Sequence, residues 1–260
     1  MNSPAAPLMG QSVRRKEDRR FIAGEGRFLD DIQLPGTVHG VLLRSPHAHA
    51  RIDKIDTAAA ARLPGVLLIL TDADLQAAKV GDLPCGWGVP LRNGTMAEPP
   101  HPVLARGIVR HVGDPVAFVV AETRDAALDA AAAIQVTYAA LPHNVELAQA
   151  VSAKVPQIWP QAPGNVCYDW DVGDAAAVEA AFARAAHVTT VKLVNNRVHA
   201  SPMETRGTIG HYDPATDRYT LYTSNQNPHV IRVLLSAATL EVLRVEQGVP
   251  LFGVDMTEVT

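Results

Sequence analysis

Residues 115–138 read PVAFVVAETRDAALDAAAAIQVTY. The opening run, Pro115 to Ala121, is apolar, rich in β-branched residues and of strand length. Thr123 then offers a hydroxyl as N-cap for a helix over Arg124 to Ala133, whose alanines and Leu128 give a small apolar face. From Ile134 to Tyr138 the alternation of a strand returns. A strand, a helix and a strand in direct succession imply a layered α/β arrangement, with the helix covering one face of a sheet.

Working outward, the same signals predict strands at Val38 to Arg44, Val66 to Thr71, Val188 to Val194, Gly207 to Tyr212 and Arg218 to Thr223. Asp174 is placed to cap a helix over Ala175 to Ala186, with Val178, Phe182 and Ala185 as its buried stripe. Asp213-Pro214-Ala215-Thr216-Asp217 has the composition of a tight turn, and its alternating flanks make it the bend of a β-hairpin. Between Gly81 and His101 the breakers Pro84, Gly86, Gly88, Pro90, Gly94, Pro99 and Pro100 predict a long loop inside a domain. Pro156 to Gly164, with Trp159, Pro160 and Pro163, predicts a joint between a mixed α/β domain and a second α/β unit.

With 260 residues, 47% hydrophobic and 19% charged, the chain can bury a core, which excludes disordered and fibrous classes. Basic and acidic side chains nearly balance, at 23 against 27, and the one basic run (Arg14, Arg15, Lys16, Arg19, Arg20) is broken by Glu17 and Asp18 and lacks stacking aromatics. It reads as a solvated, salt-bridged surface, and nucleic acid is not an expected partner. Cys85 and Cys167 stand far apart, which excludes a disulfide scaffold and fits a reducing, cytoplasmic setting. No window is apolar enough for a membrane span, and Met1 to Gln11 lack the apolar centre of an export signal.

Few residues carry a chemical signature of their own. His47 and His49 are spaced to share one face of a strand, the beginning of a metal site, but no third ligand completes the set. A polar edge beside Ser45 and Arg51 is the competing reading. Gly24-Glu25-Gly26 is too short for a dinucleotide fingerprint, and Val112-Gly113-Asp114-Pro115 precedes a strand rather than a helix. Ser45, Ser201 and Ser224 lack the context of a nucleophile. Adjacent Asp30 and Asp31 read as a turn rather than an acid/base pair. The distinctive region is polar and amide-rich: Asn195-Asn196-Arg197, then Ser201-Pro202-Met203-Glu204-Thr205-Arg206-Gly207, then Thr223-Ser224-Asn225-Gln226-Asn227-Pro228-His229. Asn227 followed by Pro228 reads as an N-cap with proline at the first helical position, starting a helix over Pro228 to Leu240 at the end of a strand. Such a corner is either a well-capped helix or a place for a polar or anionic ligand.

These residues resemble a known pattern. Ser12, Arg14, Glu17-Asp18, Phe21, Gly24, Gly26, Asp30-Asp31-Ile32, Leu34-Pro35-Gly36 and Arg44-Ser45-Pro46-His47-Ala48-His49-Ala50 are similar to the start of the molybdenum hydroxylase large subunit. That family includes xanthine dehydrogenase, aldehyde oxidase and aerobic carbon monoxide dehydrogenase. Leu63-Pro64-Gly65-Val66, Val112-Gly113-Asp114-Pro115-Val116, Ala121-Glu122-Thr123, Asn195-Asn196-Arg197, Pro202-Met203-Glu204 and Gln226-Asn227-Pro228-His229 continue the resemblance in order.

The resemblance implies an α+β chain. Its expected parts are a disordered stretch at 1–10, an α/β hammerhead domain over 11–141, a linker at 142–164, the incomplete start of a molybdopterin-binding α/β domain over 165–240 and a divergent tail at 241–260. Gln226 falls at the family's active-site glutamine, whose amide hydrogen-bonds an oxygen ligand of molybdenum from outside the metal's own ligand set. Met203 and Glu204 fall in the preceding motif, and Glu204 is read as structural. The implied cofactor is molybdopterin with molybdenum, in the cytosine dinucleotide form. The implied partners are a small [2Fe-2S] subunit and a medium FAD subunit, and the implied reaction is hydroxylation of aldehydes, purines, N-heterocycles or carbon monoxide with water as oxygen source. A glycine-rich GGGFG loop follows the glutamine helix in relatives, where close approach to the cofactor demands glycine. Here Glu241 to Thr260 carry no such run. The expectation is a truncated or split subunit, inactive alone and completed by a separate chain. The alternatives are a noncatalytic hammerhead assembly module and a metal hydrolase using His47 and His49.

Overall fold

The computed structural model describes residues 9–247 except 11, 13, 87, 90–95 and 197, with side chains in the last helix described to 238. Most of the expected disordered stretch 1–10, Arg197, part of the expected loop after Gly81, and residues 248–260 of the expected tail lie outside the described residues. The elements run α1 (Asp18–Ile22), β1 (His39–Arg44), β2 (Ala50–Asp56), β3 (Val66–Thr71), α2 (Asp72–Ala77), β4 (Ile108–Val109), β5 (Pro115–Ala121), α3 (Arg124–Ala133), β6 (Gln135–Ala140), α4 (Ala175–Arg184), β7 (Thr208–Asp213), β8 (Arg218–Thr223) and α5 (Pro228–Gln247). They fall into two compact units that do not follow chain order. One is built on Thr37–Lys192 and the helix after Asn227, the other on the segment up to Gly36 and on Leu193–Gln226.

In the larger unit β5 is the middle strand of an antiparallel sheet of order β1-β5-β3. A middle strand covered on both faces needs a continuous apolar run, and Val116, Ala117, Val119 and Ala121 are fully buried. Helix α3 lies on this sheet through Ala127, Ala130 and Ala131, spaced to share one helical face and small enough to bring the backbone close. Thr123 Oγ1 accepts the Ala126 N–H at 3.2 Å, as its position before the helix predicts. Leu128, expected on the apolar face, is instead 41% exposed, because it stands one position off the alanine stripe.

A second antiparallel sheet, β4-β2-β6, closes over Ala50, Ala105, Val109 and Val116. Strand β2 was not read from the sequence. Its register shifts between Ile52 and Lys54, so Ile52 and Ile55 both pack toward this core at a spacing that hides the period of two.

Two sequence expectations fail here. Helix α4 is capped by Asp174, whose Oδ1 accepts the Ala177 N–H at 2.9 Å, but Ala185 already has extended backbone and the stripe is not buried: Val178 is 50% and Phe182 56% exposed. Val188 to Val194 is not a strand, since among the described residues no neighbouring strand supplies a ladder for its amides and carbonyls. The proline-rich joint has local order of its own. Asn165 Oδ1 accepts the Ile158 N–H at 2.8 Å, and its Nδ2 donates to the carbonyls of Ala150 and Pro156.

The smaller unit contains the β7–β8 hairpin, in register from Thr208 opposite Thr223 to Asp213 opposite Arg218. It also contains a 3₁₀ turn at Leu29–Asp31. Asp30 and Asp31 therefore sit in a turn, where Asp31 Oδ2 accepts the Phe28 N–H at 2.8 Å.

Candidate functional site

The hairpin is set by its turn. Asp213 accepts the Ala215 N–H through Oδ1 at 2.9 Å and the Thr216 hydroxyl through Oδ2 at 2.7 Å, and Asp217 adopts a left-handed φ of 52° that Asp tolerates. The Thr216 hydroxyl and then the Ala215 amide hold the Asp213 carboxyl below the usual carboxylate range. Tyr212 donates its hydroxyl to Asp217 Oδ1 at 3.0 Å, which raises its own pKa, and its ring lies 4.6 Å from that of Tyr219.

Strand β8 ends at Thr223 and delivers Ser224, Asn225 and Gln226 in sequence. Ser224 Oγ donates to the Thr205 carbonyl at 3.3 Å, so the strand end is tied to the loop that enters β7. Gln226 stands at the following bend with its side chain exposed. Pro228 occupies the first helical position of α5, and the Asn227 carbonyl accepts the Ile231 N–H at 3.1 Å.

The loop entering β7 is shaped locally. Ser201 takes a left-handed φ of 46°, its N–H donating to His199 Nδ1 at 3.0 Å. Met203 is exposed, whereas the half-buried Glu204 accepts the Leu29 N–H through Oε1 at 3.0 Å. Of the sequence-singled residues, the structure thus brings together Glu204, Thr205 and Ser224, close in the chain to Gln226. Asn195 and Asn196 are exposed and lie in no helix or strand. Leu29 is the partner of Glu204 that sequence reasoning missed, for no local signal links residues 175 positions apart.

The buried His49 Nδ1 lies 2.7 Å from the Pro142 carbonyl, and the His47 ring packs 4.8 Å from that of Tyr138. Among the described residues no three His, Cys, Asp or Glu side chains gather around one point. In the larger unit a cavity of about 560 Å³ is lined by Leu83, Pro100, Val103, Arg110, Asp114 and Trp159. The Arg110 guanidinium lies 3.5 Å over the Trp159 ring, and burial lowers its pKa, against the opposing influence of Asp114. Among the described residues no helix is long and apolar enough to cross a membrane.

The sequence pattern of the aldehyde oxidase and xanthine dehydrogenase a/b hammerhead domain matches residues 23–142, and that of the molybdopterin cofactor-binding domain matches residues 158–247. The chain belongs to the molybdenum hydroxylases. Among its molybdenum hydroxylase relatives, the carbon monoxide dehydrogenase large chain of Afipia carboxidovorans is 37% identical over 246 residues, covering 89% of this chain and 29% of that one. The nicotine 6-hydroxylase large subunit of Paenarthrobacter nicotinovorans is 37% identical over 231 residues, covering 88% and 27%. Quinoline 2-oxidoreductase from Pseudomonas putida 86 superposes with a TM-score of 0.75 at 35% identity, covering 89% of this chain and 29% of that one. The chain therefore spans less than a third of the length of these relatives. Its fold is α+β, a hammerhead domain followed by the start of a molybdopterin-binding domain. Just beyond β8 the exposed carboxamide of Gln226 offers an N–H donor and an oxygen acceptor, groups of the kind that can hydrogen-bond a cofactor's oxygens.

Proposed function

We propose that this chain is the front part of the molybdopterin-binding subunit of a molybdenum hydroxylase and that Gln226 is its cofactor-facing residue. The observation that carries this reading is the exposed Gln226 carboxamide at the end of β8, inside the segment that matches the molybdopterin cofactor-binding domain. The cofactor, when bound, supplies the redox centre at which substrate is hydroxylated. Gln226 Nε2–H would donate toward the cofactor, orienting it without ligating the metal. In this reading residues 11–141 are the hammerhead, 142–164 the joint and 165–240 the first part of the molybdopterin domain. Molybdopterin in its cytosine dinucleotide form, a [2Fe-2S] subunit and an FAD subunit complete the proposed assembly, in the cytoplasm. The names of the relatives support carbon monoxide, aldehydes, purines and N-heterocycles as the range of substrates.

The test is to produce the subunit carrying these residues together with iron–sulfur and flavin subunits and the cofactor-making machinery, then to measure molybdenum and pterin content. Stoichiometric molybdenum, with Gln226→Ala altering the Mo(V) paramagnetic resonance spectrum while metal is retained, is the expected result. A subunit that assembles but retains neither metal nor pterin would overturn the proposal.

The alternative reading is a noncatalytic hammerhead assembly module, for which the buried cluster of β5 and α3 would supply a core independent of any cofactor. Its mark would be capture of the partner subunits by a chain that stays free of pterin.

A further inference from the structure

Glu204 lies in the loop entering β7, and its carboxylate reaches back to a segment 175 residues earlier. There it accepts the N–H of Leu29 at 3.0 Å. The preceding amide, of Phe28, goes to Asp31 at 2.8 Å, so two consecutive amides at the start of this 3₁₀ turn each meet a carboxylate. The Leu29 side chain is 8% exposed and fills the space over Gly207, where a Cβ would stand 2.5 Å from Leu29 Cδ2. Glu204 and Gly207 thus grip one residue by its amide and by its side chain. The residue after Glu204 carries the contact onward. The Thr205 carbonyl accepts the hydroxyl of Ser224, two residues before Gln226.

We propose that Glu204 is a positioning residue for Gln226. Its carboxylate anchors the loop to the N-terminal segment, and the Thr205–Ser224 hydrogen bond passes that anchorage to the end of β8. A loop fixed on one side only would leave Ser224 bonded to a mobile carbonyl, and the bend bearing Gln226 would move with it. Charge is not the requirement; an oxygen acceptor at the Oε1 position is.

The test is amide hydrogen exchange on the full chain, read by mass spectrometry with fragmentation to single amides. Glu204→Ala should speed exchange at Leu29 about tenfold and speed residues 222–226 by a comparable factor. Glu204→Gln, which keeps the acceptor, should restore both. Ser224→Ala should quicken 222–226 while Leu29 stays protected. Faster exchange at Leu29 alone in Glu204→Ala would reduce Glu204 to a local clamp and overturn the proposal, as would a Leu29 amide unprotected in the unmodified chain. If Glu204→Ala fails to fold, Ser224→Ala decides: unchanged exchange at 222–226 overturns the coupling, and faster exchange there with Leu29 protected upholds it. The inference rests on Gln226 as the cofactor-facing residue. Exchange reports the coupling whatever Gln226 faces, and resonance spectra of the loaded subunit report Gln226, so the two can fail separately.

Discussion

Gly40 in β1 faces the ring of Phe118 in β5, and a methyl group on Gly40 would overlap the ring's Cζ and Cε2 atoms. The glycine is what lets an aromatic side chain lie across the neighbouring strand. Gly40→Ala should therefore push the half-exposed Phe118 ring aside and destabilise the larger unit by about 0.5–1.5 kcal/mol, the cost of an off-rotamer side chain. Urea unfolding measures it, and Gly40→Ala combined with Phe118→Leu should recover part of the loss.

Thr123 opens α3, the helix that covers the buried sheet, through its bond to the Ala126 amide. Thr123→Ala should cost about 1 kcal/mol, whereas Thr123→Ser, which keeps an oxygen in place, should lie near the parent. Thermal or urea unfolding of both variants separates the cap from general packing.

At the start of α2, Asp74 Oδ2 accepts the hydroxyl and the amide of Thr71, both at 2.7 Å. The Thr71 hydroxyl, then its amide, lower the Asp74 pKa below the ordinary carboxylate value. A depressed folded-state pKa gives stability that is present above the unfolded-state value and is lost as pH falls through the folded one. The difference in stability between the parent and Asp74→Asn should thus be full at neutral pH and shrink on acidification below about pH 4. A gap that stays constant from pH 7 to pH 3 would remove Asp74 from the acid response.

Asn165 holds the 150–158 stretch with three hydrogen bonds and itself sits at a left-handed φ of 61°. Asn165→Ala removes the bonds and places a Cβ-bearing residue without a compensating amide in that conformation, costing about 1–3 kcal/mol locally. Limited proteolysis should then cut within 150–158 well before the sheets. Asn165→Asp, which keeps the acceptor for Ile158 but loses both donors, should fall between.

What the sequence made legible was local. The apolar run of β5, the Thr123 cap and the Asp213–Asp217 turn each carry their instruction within ten residues, and all three are found in place. Strand β2 escaped notice because its bulge breaks the alternation and because Arg51 pairs with Asp53, and Lys54 with Asp56, so that charge dominates the string. The stripe of α4 and the run from Val188 to Val194 were misread for the opposite reason: their apolar spacing is real, but spacing predicts burial only where another surface arrives to cover it. At the candidate site, Gln226 was reached through the resemblance of its motif, while the role of Glu204 required knowing that Leu29 lies beside it.

The Leu29–Glu204 bond also sets an order in time. On a ribosome adding about 5–20 residues each second, β5 can pair with β1 and β3 long before Glu204 is made. Leu29, synthesised early, must wait on the order of ten seconds or more for its acceptor. Its apolar side chain then has no shelter over Gly207 until the loop entering β7 has been made.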